Sequence, residues 1–534
     1  MSRSKNRTRT GDIAALGGVA VLLLLPLRTP VNVYDEGNLL VAAQRLLGGD
    51  VPYRDFWGVY PPGQLLTVAG VLGLAGHEVM GPRVLDAATR FATAIVSFLL
   101  IRLVAGRALA LCAALTVGVA LAAVGRHYLY PVQPAMLLAL LAIFLWLKRI
   151  RAVESSEDHR LALGSGSLLG LSALFRWDIA SYAAAGLLVS GLLASFGIRS
   201  KRAAHARRGL LLGGGSALAV TLVGYGATAA VSGPASLVAQ VFEFPATGLH
   251  EARRLALPRP WHPDLDPAST WAQFYLAAGA LLVLCAAAAA LVVRFRRELT
   301  PRQHAVLILT VFAVAALAQG LSRSDRSHLL PTTLLGALAL LVLVSEGREN
   351  VRLLGSLTRL LPLVAVIVLA AVCSTGLRII VRDALRYPPI DCLSTAQGAS
   401  CVGLAPDQQA AVAFVRASSR PDEKIFVGNR QNTRINVNDS SFYFLADRQP
   451  ATPYEELHPG VADTAAVQNQ IVQDLQSETT RWVVLVAMPD SHEPNLSSRG
   501  QGVTVLDDYL RGAYSPRFTS GTYEVLELQR PAGR

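Results

Sequence analysis

The sequence is dominated by long apolar runs, most of them close to the length that a helix needs to cross a lipid bilayer. A membrane helix covers about 30 Å at 1.5 Å per residue, so roughly 20 apolar residues suffice. Only 16% of the 534 residues are charged and the mean hydropathy is +0.40, whereas soluble globular proteins carry about 25% charged residues. The chain is therefore predicted to be a polytopic α-helical membrane protein. Eleven spans are expected, at 12–27, 84–104, 108–125, 134–147, 161–177, 179–196, 209–230, 271–293, 304–321, 329–345 and 360–377.

Charge decides how one further apolar run, 62–80, is interpreted. Pro-Pro-Gly opens this run and His77-Glu78 interrupts its end. If it does not cross, the N-terminal side of the membrane holds about twice as many Lys and Arg as the other side, as the positive-inside rule requires. We therefore expect a cytoplasmic N-terminus in a cell membrane, and 62–80 as a re-entrant or interfacial segment of one large outer loop, 28–83.

The formal net charge of +12 could also indicate a nucleic-acid-binding protein. The basic residues, however, fall in short clusters between the apolar runs, which is the pattern of topology signals. We expect the lipid bilayer, and no nucleic acid, as a partner.

Residues 378–534 differ from the transmembrane part, 1–377, because charge rises and the apolar runs shorten. Helix-like stretches at 405–418 and 464–477 alternate with strand-like ones at 424–427, 481–486 and 523–528, which predicts a C-terminal extracytoplasmic α/β domain. Cys392 and Cys401 lie in this part, where an oxidising compartment favours a disulfide; two unpaired loop thiols are the alternative.

Polar side chains concentrate in the first outer loop. Tyr34-Asp35-Glu36-Gly37 follows the first span and precedes an amphipathic stretch, and Gly-Asp-Val-Pro-Tyr-Arg-Asp-Phe-Trp (49–57) and Tyr-Pro-Pro-Gly (60–63) come next. Adjacent carboxylates at a bilayer surface are costly unless they are paired, hydrated or bound to a cation. The alternative is that Asp35 and Glu36 only cap the interfacial helix and supply acid to its first turn.

These motifs resemble the first-loop signature of the GT-C membrane glycosyltransferases, in particular the bacterial protein O-mannosyltransferase and aminoarabinose-transferase superfamily. The resemblance implies a GT-C-like transmembrane catalytic domain, a polyprenyl-phosphate-linked sugar donor, and a glycan, lipid or protein acceptor outside the cytoplasm. It implies Asp35 as the general base of an inverting transfer. Glu36 is expected to orient Asp35, bind a cation or contact the acceptor. Arg54, Asp55 and Tyr60 are the expected substrate-binding residues of the first loop.

A clamp for the donor phosphate is expected in the short segment 322–328, between two predicted spans. Arg323, Arg326 and His328 lie there on the side of the membrane that disfavours basic residues, and phosphate binding would explain them. The alternative is snorkelling to lipid headgroups together with an Arg–Asp pair. Metal dependence stays open, since carboxylates near the phosphate could hold Mg²⁺ or Mn²⁺.

Two other classes compete with a glycosyltransferase. A transporter or lipid flippase usually has internal repeats and ionisable residues near the midplane of the bilayer. A sensor or assembly scaffold would need no acid-rich first loop. Since the predicted spans are almost free of central charges and polar residues crowd their outer ends, an interfacial enzyme is favoured.

Overall fold

The computed structural model describes residues 2–124, 127–151, 158–195, 201–258, 268–295, 299–349, 357–386 and 402–529. The chain divides into two compact units. The first consists of Met1–Leu27, Leu85–Tyr225 and Ala256–Tyr387, and the second of Arg28–Val84, Gly226–Leu255 and Pro388–Arg534. Cys392 and Cys401, which we expect to be paired, lie outside the described residues.

The first unit is built from long apolar helices. Among the residues that the structure describes, nine helices are long and apolar enough to cross a membrane, which confirms a multi-pass helical membrane protein. These candidate spans are Thr10–Arg28, Met80–Ala105, Val132–Arg151, Trp177–Ser195, Ala203–Ser232, Thr270–Phe295, Pro301–Ser322, Arg326–Gly347 and Leu361–Arg386.

The two remaining predicted spans are also helical. Arg107–Ala122 is apolar but has only 16 residues. Asp158–Phe175 has 18 residues but is not among the helices that are both long and apolar enough to cross a membrane. The last helix of this unit, Leu357–Arg386, has 30 residues.

Close helix packing in this unit depends on glycine. Gly166 and Gly170 lie one turn apart on Asp158–Phe175, and a Cβ at Gly166 would lie 2.0 Å from the carbonyl oxygen of Gly213. This spacing lets two backbones approach as in small-xxx-small contacts of membrane helices. Charge inside the bundle is paired: Arg90 Nε lies 2.7 Å from Asp86 Oδ2, one turn away, with both side chains almost fully buried.

The second unit begins with two helices from the first predicted loop, Asp35–Leu47 and Pro62–Ala75, which pack together. The run predicted at 62–80 thus forms a helix of 14 residues, and the ring of His77 stacks on Phe444 at 3.7 Å between centroids. Short helical turns from the middle of the chain join this unit: Pro234–Val238, the π-helical Ala239–Glu243, Phe244–Ala246 and Gly248–Arg253.

The C-terminal part of the second unit contains the predicted α/β arrangement. Its sheet comprises β1 (Ile425–Asn429), β2 (Trp482–Val486), β3 (Tyr514–Ser520) and β4 (Tyr523–Leu528), in the order β1-β2-β4-β3. β1 and β2 are parallel, whereas β4 is antiparallel to both of its neighbours. The helices of this part are Pro406–Ser418, Ser441–Ala446, Ala465–Ser477, Leu496–Arg499 and Val505–Ala513.

A small apolar core holds this sheet. Buried side chains of β1 and β2 pack against Ile471 and Leu475 from one helix and Leu506 and Leu510 from another. β1, at the edge of the sheet, and β2, inside it, run parallel, and their residues are almost all buried. The carboxyl ends of these two strands therefore share one edge of the sheet.

Candidate functional site

The first loop starts the helix Asp35–Leu47 with an asparagine cap. The Oδ1 atom of Asn32 accepts hydrogen bonds from the backbone N–H groups of Tyr34 (3.2 Å) and Asp35 (2.8 Å). Asn32 thus accepts the hydrogen bonds of backbone N–H groups at the helix start. The alternative interpretation of the sequence assigned this capping role to Asp35 and Glu36. Asp35 is the first helical residue and is half-buried.

Glu36 is buried and bound on both oxygens. Arg83 Nε lies 2.7 Å from Oε1 and Arg83 Nη2 lies 2.8 Å from Oε2, and the backbone N–H of Asn32 donates to Oε2 at 3.0 Å. Arg83 also donates to the carbonyls of Thr29 (2.6 Å) and Pro30 (3.2 Å). These contacts fix the chain entering the helix.

Asp35 lies in an acidic cluster with a residue from the C-terminal part of the chain. The hydroxyl of Tyr34 donates to Glu456 Oε1 at 3.1 Å. Burial and the negative charges of Asp35 and Glu455 raise the pKa of Glu456 to about 8, so this carboxyl holds a proton at neutral pH. The neutral carboxyl of Glu456 therefore lies near the carboxyl group of Asp35.

Arg253 supplies positive charge to the same cluster. Its guanidinium lies over the ring of Tyr34 at 5.8 Å and counteracts the rise in the pKa of Glu456. Arg253 Nη1 donates to Asn436 Oδ1 at 3.0 Å, and Nη2 donates to the Asn436 carbonyl. The cluster thus joins the first loop, the short turns after residue 233 and the C-terminal part of the chain.

Arg45 anchors the other end of the helix Asp35–Leu47 inside this unit. Its guanidinium binds Asp50 Oδ2 at 2.7 Å and Glu455 Oε2 at 2.9 Å. It also donates to the carbonyls of Thr452 (3.0 Å) and Asp55 (2.8 Å). A buried arginine with this many acceptors is fully satisfied, so its role is to hold the loop in place.

The three substrate-binding candidates of the first loop have different surroundings. Arg54 is exposed and donates to both carboxylate oxygens of Asp55, at 2.9 and 2.8 Å. The hydrogen bond from Arg54 lowers the pKa of Asp55 most, burial opposes this effect, and the hydrogen bond from Val51 N–H lowers the pKa further. Tyr60 is half-buried, and its carbonyl accepts from the hydroxyl of Tyr53 at 2.6 Å.

In the first unit, Asp325 organises the predicted phosphate clamp. Arg323 Nε donates to Asp325 Oδ2 at 2.7 Å, and the ring Nδ1 and backbone N–H of His328 lie 2.8 and 3.0 Å from Oδ1. Burial opposes ionisation, but the hydrogen bonds and charge of His328 and the charge of Arg323 hold the pKa of Asp325 well below its usual range. Arg323 and His328 are thus held by the local acid, as in the alternative interpretation.

Arg326 differs from these two residues because it lines a cavity of about 310 Å³. The walls of the cavity are mostly apolar side chains of four helices, and Arg326, Gln273, Thr333 and Arg382 supply polar groups. Gln273 Nε2 donates to Thr333 Oγ1 at 3.2 Å. An apolar cavity with a few convergent polar groups is the usual form of a small-molecule site.

Within the described residues, no group of three or more His, Cys, Asp or Glu side chains is placed to hold a metal ion. A metal therefore stays unassigned. The sequence interpretation did not identify Glu456 or Arg253 as site residues.

Comparison with known proteins gives no match by sequence: no family model matches, and no curated protein matches. By structure, the chain is similar to ArnT from Cupriavidus metallidurans bound to undecaprenyl phosphate, with a TM-score of 0.54 and 16% identity, over 97% of this chain and 98% of that one. It is also similar to the archaeal oligosaccharyltransferase AglB from Archaeoglobus fulgidus in complex with an inhibitory peptide and a dolichol-phosphate, with a TM-score of 0.51 and 14% identity, over 89% of this chain and 69% of that one. The chain therefore has the fold of the GT-C membrane glycosyltransferases, as the motifs of the first loop predict.

Proposed function

We propose that this protein is a membrane glycosyltransferase that moves a sugar from a polyprenyl-phosphate-linked donor to a hydroxyl group of a glycan, lipid or protein. The observation that carries the proposal is the placement of Asp35, at the start of a first-loop helix and beside the protonated Glu456, in a chain with the GT-C fold. The reaction takes place outside the cytoplasm, with the N-terminus of the chain inside.

The chemistry needs one base and one anion-binding site. A polyprenyl phosphate is a good leaving group, so the acceptor hydroxyl needs only to lose its proton as it attacks the anomeric carbon. The Asp35 carboxylate takes that proton. The new C–O bond forms as the bond from the sugar to the phosphate oxygen breaks, and a single displacement of this kind inverts the anomeric centre.

Glu456 has a different role from Asp35. Since its pKa is raised to about 8, it is neutral under working conditions and adds no second negative charge beside the base. With the hydroxyl of Tyr34 it forms a hydrogen-bonding surface that positions the acceptor. Glu36, bound by Arg83, keeps the helix start in place and does not take part in proton transfer.

The cavity around Arg326 is proposed as the donor site. Its apolar walls suit a polyprenyl chain, and Arg326 is placed to bind the single phosphate with a charge-assisted hydrogen bond. The hydroxyl of Thr332, which also lines the cavity, is buried and has no hydrogen-bond partner within the described part of the chain. The solved structures support the same donor class, since ArnT was determined with undecaprenyl phosphate and AglB with a dolichol-phosphate.

A transfer assay tests the proposal. The full-length chain, reconstituted in lipid, is given a panel of radiolabelled polyprenyl-phosphate sugars together with membrane extracts that supply acceptors. We expect label to leave the polyprenyl lipid in the presence of the wild-type chain. The variant Asp35→Asn should retain its fold and lose at least about 10²-fold in rate, the low end for removing a general base.

Asp422→Asn is the matched control, because Asp422 is an exposed carboxylate of the same unit that pairs with Arg420. It should transfer at the wild-type rate. Near wild-type turnover by Asp35→Asn would refute the assignment of the base. Failure of the wild type with every donor would refute the function itself.

A further inference from the structure

A second pocket, separate from the Asp35 cluster, lies at the carboxyl ends of β1 and β2. Its volume is about 170 Å³. The last residues of the two strands, Asn429 and Val486, both line it. In α/β sheets, ligands bind outside the carboxyl ends of neighbouring parallel strands, because these ends present backbone and loop groups that no further strand covers.

The lining of this pocket is rich in hydrogen-bonding side chains. Asparagine, glutamine, serine and arginine supply most of it, and Met488 and Pro489 add a small apolar face. Asn429 is 5% exposed, and its Oδ1 atom has no hydrogen-bond partner among the described residues. A buried acceptor without a partner costs about 1–3 kcal/mol, and a ligand that donates a hydrogen bond to this atom would remove that cost.

Charge in the pocket indicates a neutral ligand. Arg434 and Asp490 lie opposite each other, with Nη2 3.7 Å from Oδ1, and Arg430 Nε lies 3.9 Å from Glu524 Oε2. Each arginine therefore has an acid nearby, and a phosphate would gain little. A ligand with several hydroxyl groups, each both donor and acceptor, satisfies this mixed lining better.

The pocket is connected to the Asp35 cluster by one residue. Asn436 lines the pocket, and its side chain and carbonyl both accept hydrogen bonds from Arg253. Arg253 in turn lies over the ring of Tyr34. A ligand held in the pocket is thus linked through two side chains to the residues beside the proposed base.

We propose that this pocket binds one sugar ring of a carbohydrate acceptor. The volume is below the roughly 300–1,000 Å³ of sites for drug-sized ligands, which fits a single ring better than an oligosaccharide. That the bound sugar is the acceptor rests on the proposed function, whereas the proposal that the pocket binds a sugar does not. Of the three acceptor classes, the pocket favours a glycan or a glycosylated lipid.

Saturation-transfer NMR on the full-length chain in detergent tests the proposal without a donor. The probes are the methyl glycosides of glucose, galactose, mannose and arabinose. We expect at least one of them to receive saturation from the wild-type protein. The double variant Gln431→Ala, Arg434→Gln should weaken the signal roughly tenfold, since each lost hydrogen bond weakens binding by about 2- to 10-fold.

Both substituted side chains are exposed, so the variant should fold, and its thermal unfolding is measured alongside. The control is Arg420→Gln, which removes an exposed arginine that also pairs with an acid, outside the pocket. No saturation of any glycoside by the folded wild type, or equal saturation by the double variant, would overturn the proposal. Asp35→Asn should bind the glycoside like the wild type, so a failure of transfer and a failure of this pocket are separate results.

Discussion

Arg83 and Glu36 form a closed ion pair, with two nitrogen–oxygen contacts of 2.7 and 2.8 Å and side chains that are 1% and 2% exposed. Arg83 is at the start of a membrane helix, whereas Glu36 is in the first turn of the first-loop helix. The pair therefore joins two positions that are 47 residues apart in the sequence and fixes the ends of the segment between them. Its geometry supports a structural role for Glu36 and agrees with the proposal that the neighbouring Asp35 is the base.

Removing one partner of this pair should destabilise the protein strongly. In Glu36→Gln the Arg83 guanidinium stays buried without a counter-charge, which costs about 3–5 kcal/mol. We expect a large drop in the midpoint of thermal unfolding in detergent, and loss of activity that follows the loss of folded protein. Glu478→Gln, a change at an exposed glutamate of the same unit, serves as the control. A Glu36→Gln variant that is as stable as the wild type but inactive would instead place Glu36 in the chemistry.

Glu456 should make stability depend on pH in a defined direction. Its pKa is raised from an ordinary 4.5 to about 8 in the folded protein, so the folded state binds more protons than the unfolded state between these values. The stabilisation from this group is complete below pH 4.5 and is lost as the pH rises towards 8.

Glu456→Gln mimics the protonated carboxyl and should remove this dependence. We expect the variant to match the wild type at low pH and to exceed its stability above pH 8, measured as unfolding midpoints across the pH range. Asp35, Glu455 and Arg253 face the same group and stay unchanged in the comparison. Parallel curves for the two proteins would show that Glu456 titrates like an ordinary carboxyl.

Substitutions of Arg326 and Arg323 should have different effects, because Arg326 is the proposed donor-binding residue and Arg323 has a structural role. Arg326→Ala removes a charge-assisted hydrogen bond to the donor phosphate, worth about 1.5–3 kcal/mol, so the KM for the donor should rise roughly 10- to 150-fold. Arg323→Ala breaks the contact with Asp325 and should leave the KM for the donor within about threefold of the wild type. Equal effects of the two substitutions would contradict the assignment of the cavity as the donor site.

The membrane helices and most of the C-terminal sheet could be predicted from the sequence, because local patterns of apolar residues indicate both. β3 was missed since Pro516 and a bulge between Pro516 and Phe518 interrupt its alternation. Asn32 was missed as a helix cap because two acids follow it and offer the same signal. Glu456 could not be found, since only a fold that brings it to Tyr34, 422 residues away, gives it a function.

The orientation of the chain is testable at Arg420, which is exposed in the C-terminal part. In a protein whose five cysteines are changed to serine, Arg420→Cys should react with a membrane-impermeant maleimide added outside intact cells. A cysteine in the N-terminal segment, at Ser4, should react only after the membrane is opened. The reverse pattern would contradict the cytoplasmic N-terminus that the positive-inside rule predicts.

The contact between Arg45 and Glu455 can form only late in synthesis of the chain. Its two partners are 410 residues apart, and chains are synthesised at about 5–20 residues per second, so roughly 20–80 s pass between them. During this time the first loop has Asp50 but lacks Glu455, the second acid that binds its buried arginine. In a nascent chain, part of the contacts that hold the loop around Asp35 therefore form only after the C-terminal part has been synthesised.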